Sequence, residues 1–193
     1  MEPYRAYELL FEAMKNRDED LADFILHQEL PFEPRPRFHR SYSVRKKMEL
    51  FIRDGFIDRY SGQRLVNPGF LKVISNLYPN DFPYHPHGLM TKGHIAYWRD
   101  FPTVDHIVPI SLGGDNSIDN LVTTSMLHNT SKFNRTLQEV GWTLHAPGNL
   151  MDWDGMSSAF IETIGKNPNL LEDRYILTWY TISSKLLPVC IFK

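Results

Sequence analysis

Asp105 and His106 stand side by side, and Asn129 and Lys132 follow three residues apart, all within TVDHIVPISLGGDNSIDNLVTTSMLHNTSKFN (103–134). These residue types suit hydrolysis of a phosphodiester. Histidine, which ionises near neutrality, is the natural base to take a proton from water. A carboxylate and an amide oxygen are hard ligands. A hard cation such as Mg²⁺ usually takes only one or two ligands from the protein and completes its shell with water and phosphate. Such a cation neutralises charge on the scissile phosphate and the leaving oxygen. The chemistry requires Asp105, His106 and Asn129 to meet around one point.

The local pattern can bring them there. A strand is expected to end at Asp105-His106, a loop follows at Gly113-Gly114, and a second strand (Leu121–Thr124) runs into a helix starting near Ser125. Asn129 and Lys132 then share one face of that helix.

The segment resembles the HNH, or ββα-metal, endonucleases, whose motif runs D-H-I-x-P, G-G, N-L and [HN]-x-x-K. Here these are Asp105-His106-Ile107-Val108-Pro109, Gly113-Gly114, Asn120-Leu121 and Asn129-Thr130-Ser131-Lys132. The spacing is similar to that of the HNH domain in RNA-guided CRISPR nucleases. The resemblance implies that Asp105 and Asn129 bind one divalent cation, Mg²⁺ or Mn²⁺, and that His106 is the general base. It further implies that Asn120 hydrogen-bonds backbone across the loop and so fixes His106, and that Lys132 contacts phosphate or the ordered loop. The implied reaction is phosphodiester hydrolysis, in DNA before RNA, leaving 5′-phosphate and 3′-hydroxyl ends. The alternatives are an inactive HNH fold that only binds nucleic acid, and an RNase or nuclease toxin.

The resemblance spans roughly 56–145 and has departures. Many relatives add a zinc site from two Cys-x-x-Cys pairs. The corresponding positions here are Asp58 and Ser61, then Ser125 and His128, which do not make a zinc tetrad, so no structural zinc is expected. The whole chain is also similar to small bacterial HNH-domain proteins through FPYHP, AYW, FPTVDH, GW and DWDG. His85, His87 and His94 precede the motif; they read as loop residues, as part of a substrate groove, or as a second metal site.

Around this segment the sequence reads as α+β, a ββα-metal core wrapped by helices at both ends. Regions are expected at 1–55 (helical, with the basic segment), 56–145 (nuclease core) and 146–193 (helical, packed on the core). Tyr7, Leu10, Phe11 and Met14 recur at helical spacing over 3–16. Asp18 caps a second helix to about Gln28, and Ser43 caps a third reaching Asp54. FIDRYSGQRL (56–65) suggests a hairpin turning at Ser61-Gly62. Pro68 opens a helix through Tyr78, 80–103 reads mostly as loop, and Gly141-Trp142-Thr143-Leu144 resembles a strand. Helices follow at about 155–165 and 170–186, the latter with an apolar stripe of Leu171, Tyr175, Ile176 and Trp179. Trp142 and Trp153 are expected in the core.

Charge is uneven. The formal net charge is −2. Residues 1–33 carry three basic against nine acidic side chains, whereas 34–47 (PRPRFHRSYSVRKK) carry six basic and no acidic ones. Arg35, Arg37, Arg40, Arg45, Lys46 and Lys47, interleaved with Phe38, His39 and Tyr42, suit a phosphate backbone through counterion release. The competing reading is a clasp against the acidic N-terminal segment. The single Cys190 excludes an internal disulfide and a Cys-rich zinc site. No membrane span and no leader pattern are visible, so cytoplasmic residence is expected. A homodimer would suit a palindromic nucleic-acid target.

Overall fold

A computed structural model describes residues 3–32 and 42–187. The chain divides into two compact units, Met1–His39 and Arg40–Lys193. Arg35, Arg37 and Arg40 lie outside the described residues.

The first unit holds helices α1 (Pro3–Asn16) and α2 (Glu19–Gln28). As the sequence suggests, the Asp18 carboxylate caps α2 by accepting from the Leu21 amide at 3.0 Å. The packing face differs from the expected one. Ala6, Ala13 and Ile25 form the contact, supported by Leu10, Ala22 and Leu30. Tyr7, Phe11 and Met14 are each 60% or more exposed. The two small alanines, two turns apart on α1, allow close approach of the helices, which the bulky stripe would prevent.

In the second unit, α3 (Val44–Arg53), α4 (Pro68–Leu77), α8 (Ser157–Lys166) and α9 (Arg174–Leu186) enclose the main core. Met48, Phe51, Phe56, Val73, Phe160, Ile164, Ile176 and Trp179 are among its buried side chains. Ser43 Oγ caps α3 by accepting from the Lys46 amide, and Asn67 Oδ1 caps α4 through the Gly69 amide. Among the described residues no helix is long and apolar enough to cross a membrane.

Against this bundle lies a two-stranded antiparallel sheet, β1 (Pro102–His106) and β2 (Leu121–Ser125), in which Asp105 faces Val122 and His106 faces Leu121. A one-turn helix, α5 (Ala96–Arg99), precedes β1. Helix α6 (Met126–Lys132) follows β2 without a loop, and the short α7 (Leu137–Val140) comes next. The architecture is thus α+β. Every residue of β2 is buried, including Thr123, Thr124 and Ser125. These polar groups tolerate burial because they are bonded: Thr123 Oγ1 donates to the Leu50 carbonyl and its amide donates to Asp54 at 2.7 Å. Arg53 adds a bond to the Leu121 carbonyl at 2.6 Å, tying α3 to the same strand.

Two local expectations change. Residues 56–65 do reverse direction, but only Ile57 and Arg64 bridge. Asp58 takes the turn instead, its carbonyl accepting from Gly62 N at 2.8 Å. Gly141-Trp142-Thr143-Leu144 is not a strand: Gly141 ends α7 in the left-handed conformation, and the following backbone reaches Arg59 through the His145 amide rather than joining a ladder. Trp142 and Trp153 are half-buried.

Candidate functional site

The site is assembled where β1, the loop after it and α6 converge. Strand β1 ends in Asp105 and His106. Ser125, the last residue of β2, caps α6 by accepting from the His128 amide at 3.1 Å. That junction sets α6 beside β1 and brings Asn129 over it. Asn129 Nδ2 donates to Thr103 Oγ1 at 3.0 Å and to the Val104 carbonyl at 3.3 Å. A carbonyl can only accept, so the Asn129 nitrogen is the atom turned to β1 and the amide oxygen is the other end.

Asp105 is oriented the same way. Its Oδ2 accepts from the Tyr60 hydroxyl at 2.7 Å and pairs with Lys132 Nζ at 3.0 Å. Among the described residues, no hydrogen bond reaches Asp105 Oδ1 or Asn129 Oδ1, and no buried side-chain oxygen lacks a partner, so both oxygens open to solvent. Asp105, His106 and Asn129 line one cavity of about 320 Å³, with Pro109, Ile110, Thr130, Phe133 and Asn134. Two solvent-facing oxygens, one anionic and one neutral, on side chains whose other atoms are tied down, fit a hard divalent cation that keeps water and phosphate ligands.

Lys132 is fully buried. Its ammonium donates to the His106 carbonyl at 2.7 Å as well as pairing with Asp105. Of the two roles the sequence suggested for it, phosphate contact is closed to a side chain with no exposed surface; it holds the end of β1. Tyr60 was not singled out from the sequence. Burial foremost, and then the Asp105 charge, push its phenol pKa up, so it stays protonated and donates. A tyrosine 45 residues from its partner gives no spacing signal.

Asn120 pins the loop between the strands. Its Oδ1 accepts from the Val108 amide at 2.9 Å, and its Nδ2 donates to the carbonyls of Val108 at 3.0 Å and Asp115 at 2.8 Å. Gly113 has φ of +88°, and a Cβ on Gly114 would collide with the Val108 carbonyl, so both positions demand glycine. The loop so held presents Asn116, whose Oδ1 lies 2.9 Å from His106 Nε2. Tyr42, just ahead of α3, reaches the same atoms: its hydroxyl donates to Asn116 Oδ1 at 3.1 Å and lies 3.2 Å from His106 Nε2. Asn116 is not a candidate from sequence, and Tyr42 is read there only as an aromatic of the basic segment, not as a partner of His106.

The positions aligned with a zinc site carry hydrogen bonds. Buried Asp58 accepts from Tyr60 N, Thr124 Oγ1, Ser125 N and His128 Nδ1 at 2.7–3.0 Å. Burial by itself would raise the Asp58 pKa, but these donors outweigh it and hold the carboxyl below its ordinary value. Ser61 stays outside this network: its hydroxyl accepts from the Gln63 amide. The three upstream histidines do not converge. His85 and His87 line an aromatic cavity of about 370 Å³ with Tyr84, Tyr97, Trp98 and Phe101. His94 stacks on Phe82 at 4.0 Å. Among the described residues no group of three His, Cys, Asp or Glu side chains could hold a metal.

Arg45, Lys46 and Lys47 sit on the first turn of α3. Arg45 pairs with Glu49 at 2.9 Å, both exposed, and Lys47 lines a cavity with Tyr42, Thr103 and Met126.

No curated protein and no solved structure matches the chain. Residues 95–137, which contain β1, the glycine loop, β2 and α6, match the family model described as HNH endonuclease. Over this segment, about a fifth of the chain, the sequence is similar to the HNH endonucleases.

Proposed function

We propose that the protein is a divalent-metal-dependent endonuclease with a ββα-metal core, hydrolysing phosphodiester bonds in DNA. The observation that carries the reading is that Asp105, His106 and Asn129 share one cavity, with an unbonded oxygen on each of the two ligands. Asp105 Oδ1 and Asn129 Oδ1 would hold Mg²⁺ or Mn²⁺. The bound cation would neutralise charge on the scissile phosphate and the leaving 3′ oxygen. His106 takes the proton of the attacking water, Asn120 fixes the loop beside it, and Lys132 and Tyr60 hold Asp105 in register. The ends expected are 5′-phosphate and 3′-hydroxyl. Structural zinc has no part in this reading, because the Asp58 network joins the 58–62 turn to the start of α6.

The test is incubation of plasmid, linear duplex, single-stranded DNA and RNA with protein and Mg²⁺, beside His106→Ala and Asp105→Ala. Parent protein should cut DNA and stop in excess chelator. His106→Ala should lose roughly 10²- to 10⁴-fold in rate, the usual share of a general base, while still binding metal. Asp105→Ala should lose at least as much and bind Mn²⁺ more weakly. Cutting that persists in chelator would sink the metal mechanism. Faster cutting of RNA than DNA would reassign the substrate, and binding without cutting would make this an inactive relative.

A further inference from the structure

The role of His106 rests on the reading above, but a base also has to present the correct nitrogen, and something must choose it. Neutral imidazole carries its proton on one ring nitrogen and its lone pair on the other, and the hydrogen bond made by one nitrogen decides the state of both. Here Nε2 faces a side-chain oxygen, Asn116 Oδ1, at 2.9 Å. Among the described residues Nδ1 has no hydrogen-bond partner, and since no fully enclosed side-chain nitrogen lacks one, Nδ1 keeps some exposure although His106 as a whole is only 9% exposed and lines the cavity.

We infer that Asn116 and Tyr42 are positioning residues for His106, locking it as the Nε2–H tautomer so that Nδ1 is the basic nitrogen offered to the attacking water. The Asn116 oxygen accepts from Nε2–H. The Tyr42 hydroxyl donates to that same oxygen at 3.1 Å and keeps it turned to the ring. Burial raises the Tyr42 pKa, so its hydroxyl remains a donor at neutral pH.

The chain supports this arrangement from both sides. Asn116 sits between two anchored neighbours: the Asp115 carbonyl accepts from Asn120 Nδ2, and the Asp115 carboxylate accepts from Ser117 N and Oγ at 3.0 and 2.6 Å. Tyr42 adjoins Ser43, which is fixed as the α3 cap. An exposed asparagine on an unsupported loop would sample many rotamers. This one is held by the residues before and after it and by a tyrosine braced on a helix.

The test has an arm that does not depend on activity. Long-range ¹H–¹⁵N correlation spectra of ¹⁵N-histidine-labelled protein, with His106→Gln used for assignment, should show His106 as the Nε2–H tautomer at a pH where it is neutral. In the kinetic arm, Asn116→Ala should lower kcat roughly 10- to 100-fold, the usual cost of removing an orienting partner, with KM unchanged. Asn116→Asp, which retains an acceptor oxygen, should recover most of that loss. Tyr42→Phe should cost roughly 2- to 10-fold, the worth of one hydrogen bond. A His106 spectrum of the Nδ1–H form overturns the inference, as does an Asn116→Ala protein with parental kcat. If Asn116→Ala does not fold, the parent spectrum alone decides. These failures differ from failure of the nuclease reading, in which the parent itself does not cut or His106→Ala cuts as well as the parent.

Discussion

At the scale of single residues, the site divides each side chain into an atom that is held and an atom that is offered. Asp105 gives Oδ2 to Tyr60 and Lys132 and leaves Oδ1 open; Asn129 gives its nitrogen to Thr103 and Val104 and leaves its oxygen. Pre-orientation of this kind matters because a ligand that must first be immobilised binds more weakly. Tyr60→Phe tests it with one atom removed. Lys132 would still satisfy Oδ2, so the fold should survive. Asp105 would gain rotational freedom, and the Mn²⁺ dissociation constant should rise roughly 10-fold. Calorimetric titration of both proteins measures this, and an unchanged constant would show that Lys132 alone orients the carboxylate.

At the scale of elements, the junction between β2 and α6 positions Asn129, and Asp58 is what secures that junction. Its carboxylate bonds the Ser125 amide, the Thr124 hydroxyl and the His128 ring, joining the 58–62 turn to the end of β2 and the first turn of α6. Removing it would strand several donors at once. Asp58→Ala should therefore destabilise the protein by about 3 kcal/mol or more, measured by urea unfolding. The pH dependence follows from the direction of the shift. Asp58 has a folded pKa below its unfolded value, so its contribution is complete above the ordinary aspartate pKa of about 4 and is lost as pH falls through the lowered folded pKa. The stability gap between parent and Asp58→Ala should close on acidification below about pH 4. In protein purified without added Mg²⁺ or Mn²⁺, a chelator should leave Tm unchanged, because hydrogen bonds of Asp58 make this connection.

At the scale of the whole molecule, the question is how a chain of net charge −2 would hold the DNA proposed as its substrate. Lys46 and Lys47 lie on the first turn of α3, next to the segment that carries Arg35, Arg37 and Arg40. Cations at a helix N-terminus gain nothing from the helix dipole, which favours an external anion as their partner. Arg45 is already paired with Glu49, an exposed pair of small energetic worth. If Lys46 and Lys47 contact phosphates, Lys46→Gln with Lys47→Gln should weaken DNA binding about equally for all sequences. The slope of log affinity against log salt should shrink by about 0.9 per lost contact, while Tm stays put. A lowered Tm with an intact slope would instead make the segment an internal clasp.

Local pattern was enough to read the helix caps Asp18 and Ser43, the strand–loop–strand–helix order and the meeting of Asp105, His106 and Asn129 at one cavity. Caps and periodicity are written within a few neighbouring residues, and the motif falls in one continuous segment. Composition also excluded a disulfide framework, since one cysteine cannot pair with itself. The direction of each side chain was decided elsewhere. The motif implies that Lys132 contacts phosphate or the ordered loop, and only the packing of α6 on β1 and β2 turns it inward to His106 and Asp105. Tyr42 meets His106 across 64 residues and Asp58 meets His128 across 70, separations at which no sequence periodicity survives. The bulky stripe on α1 suggested a buried face, yet the helices chose their alanines because close approach depends on the partner surface as well as on hydrophobicity. The candidate residues were legible because candidacy depends on residue type and spacing, whereas orientation depends on which distant elements pack together, and that is settled only when the whole chain folds.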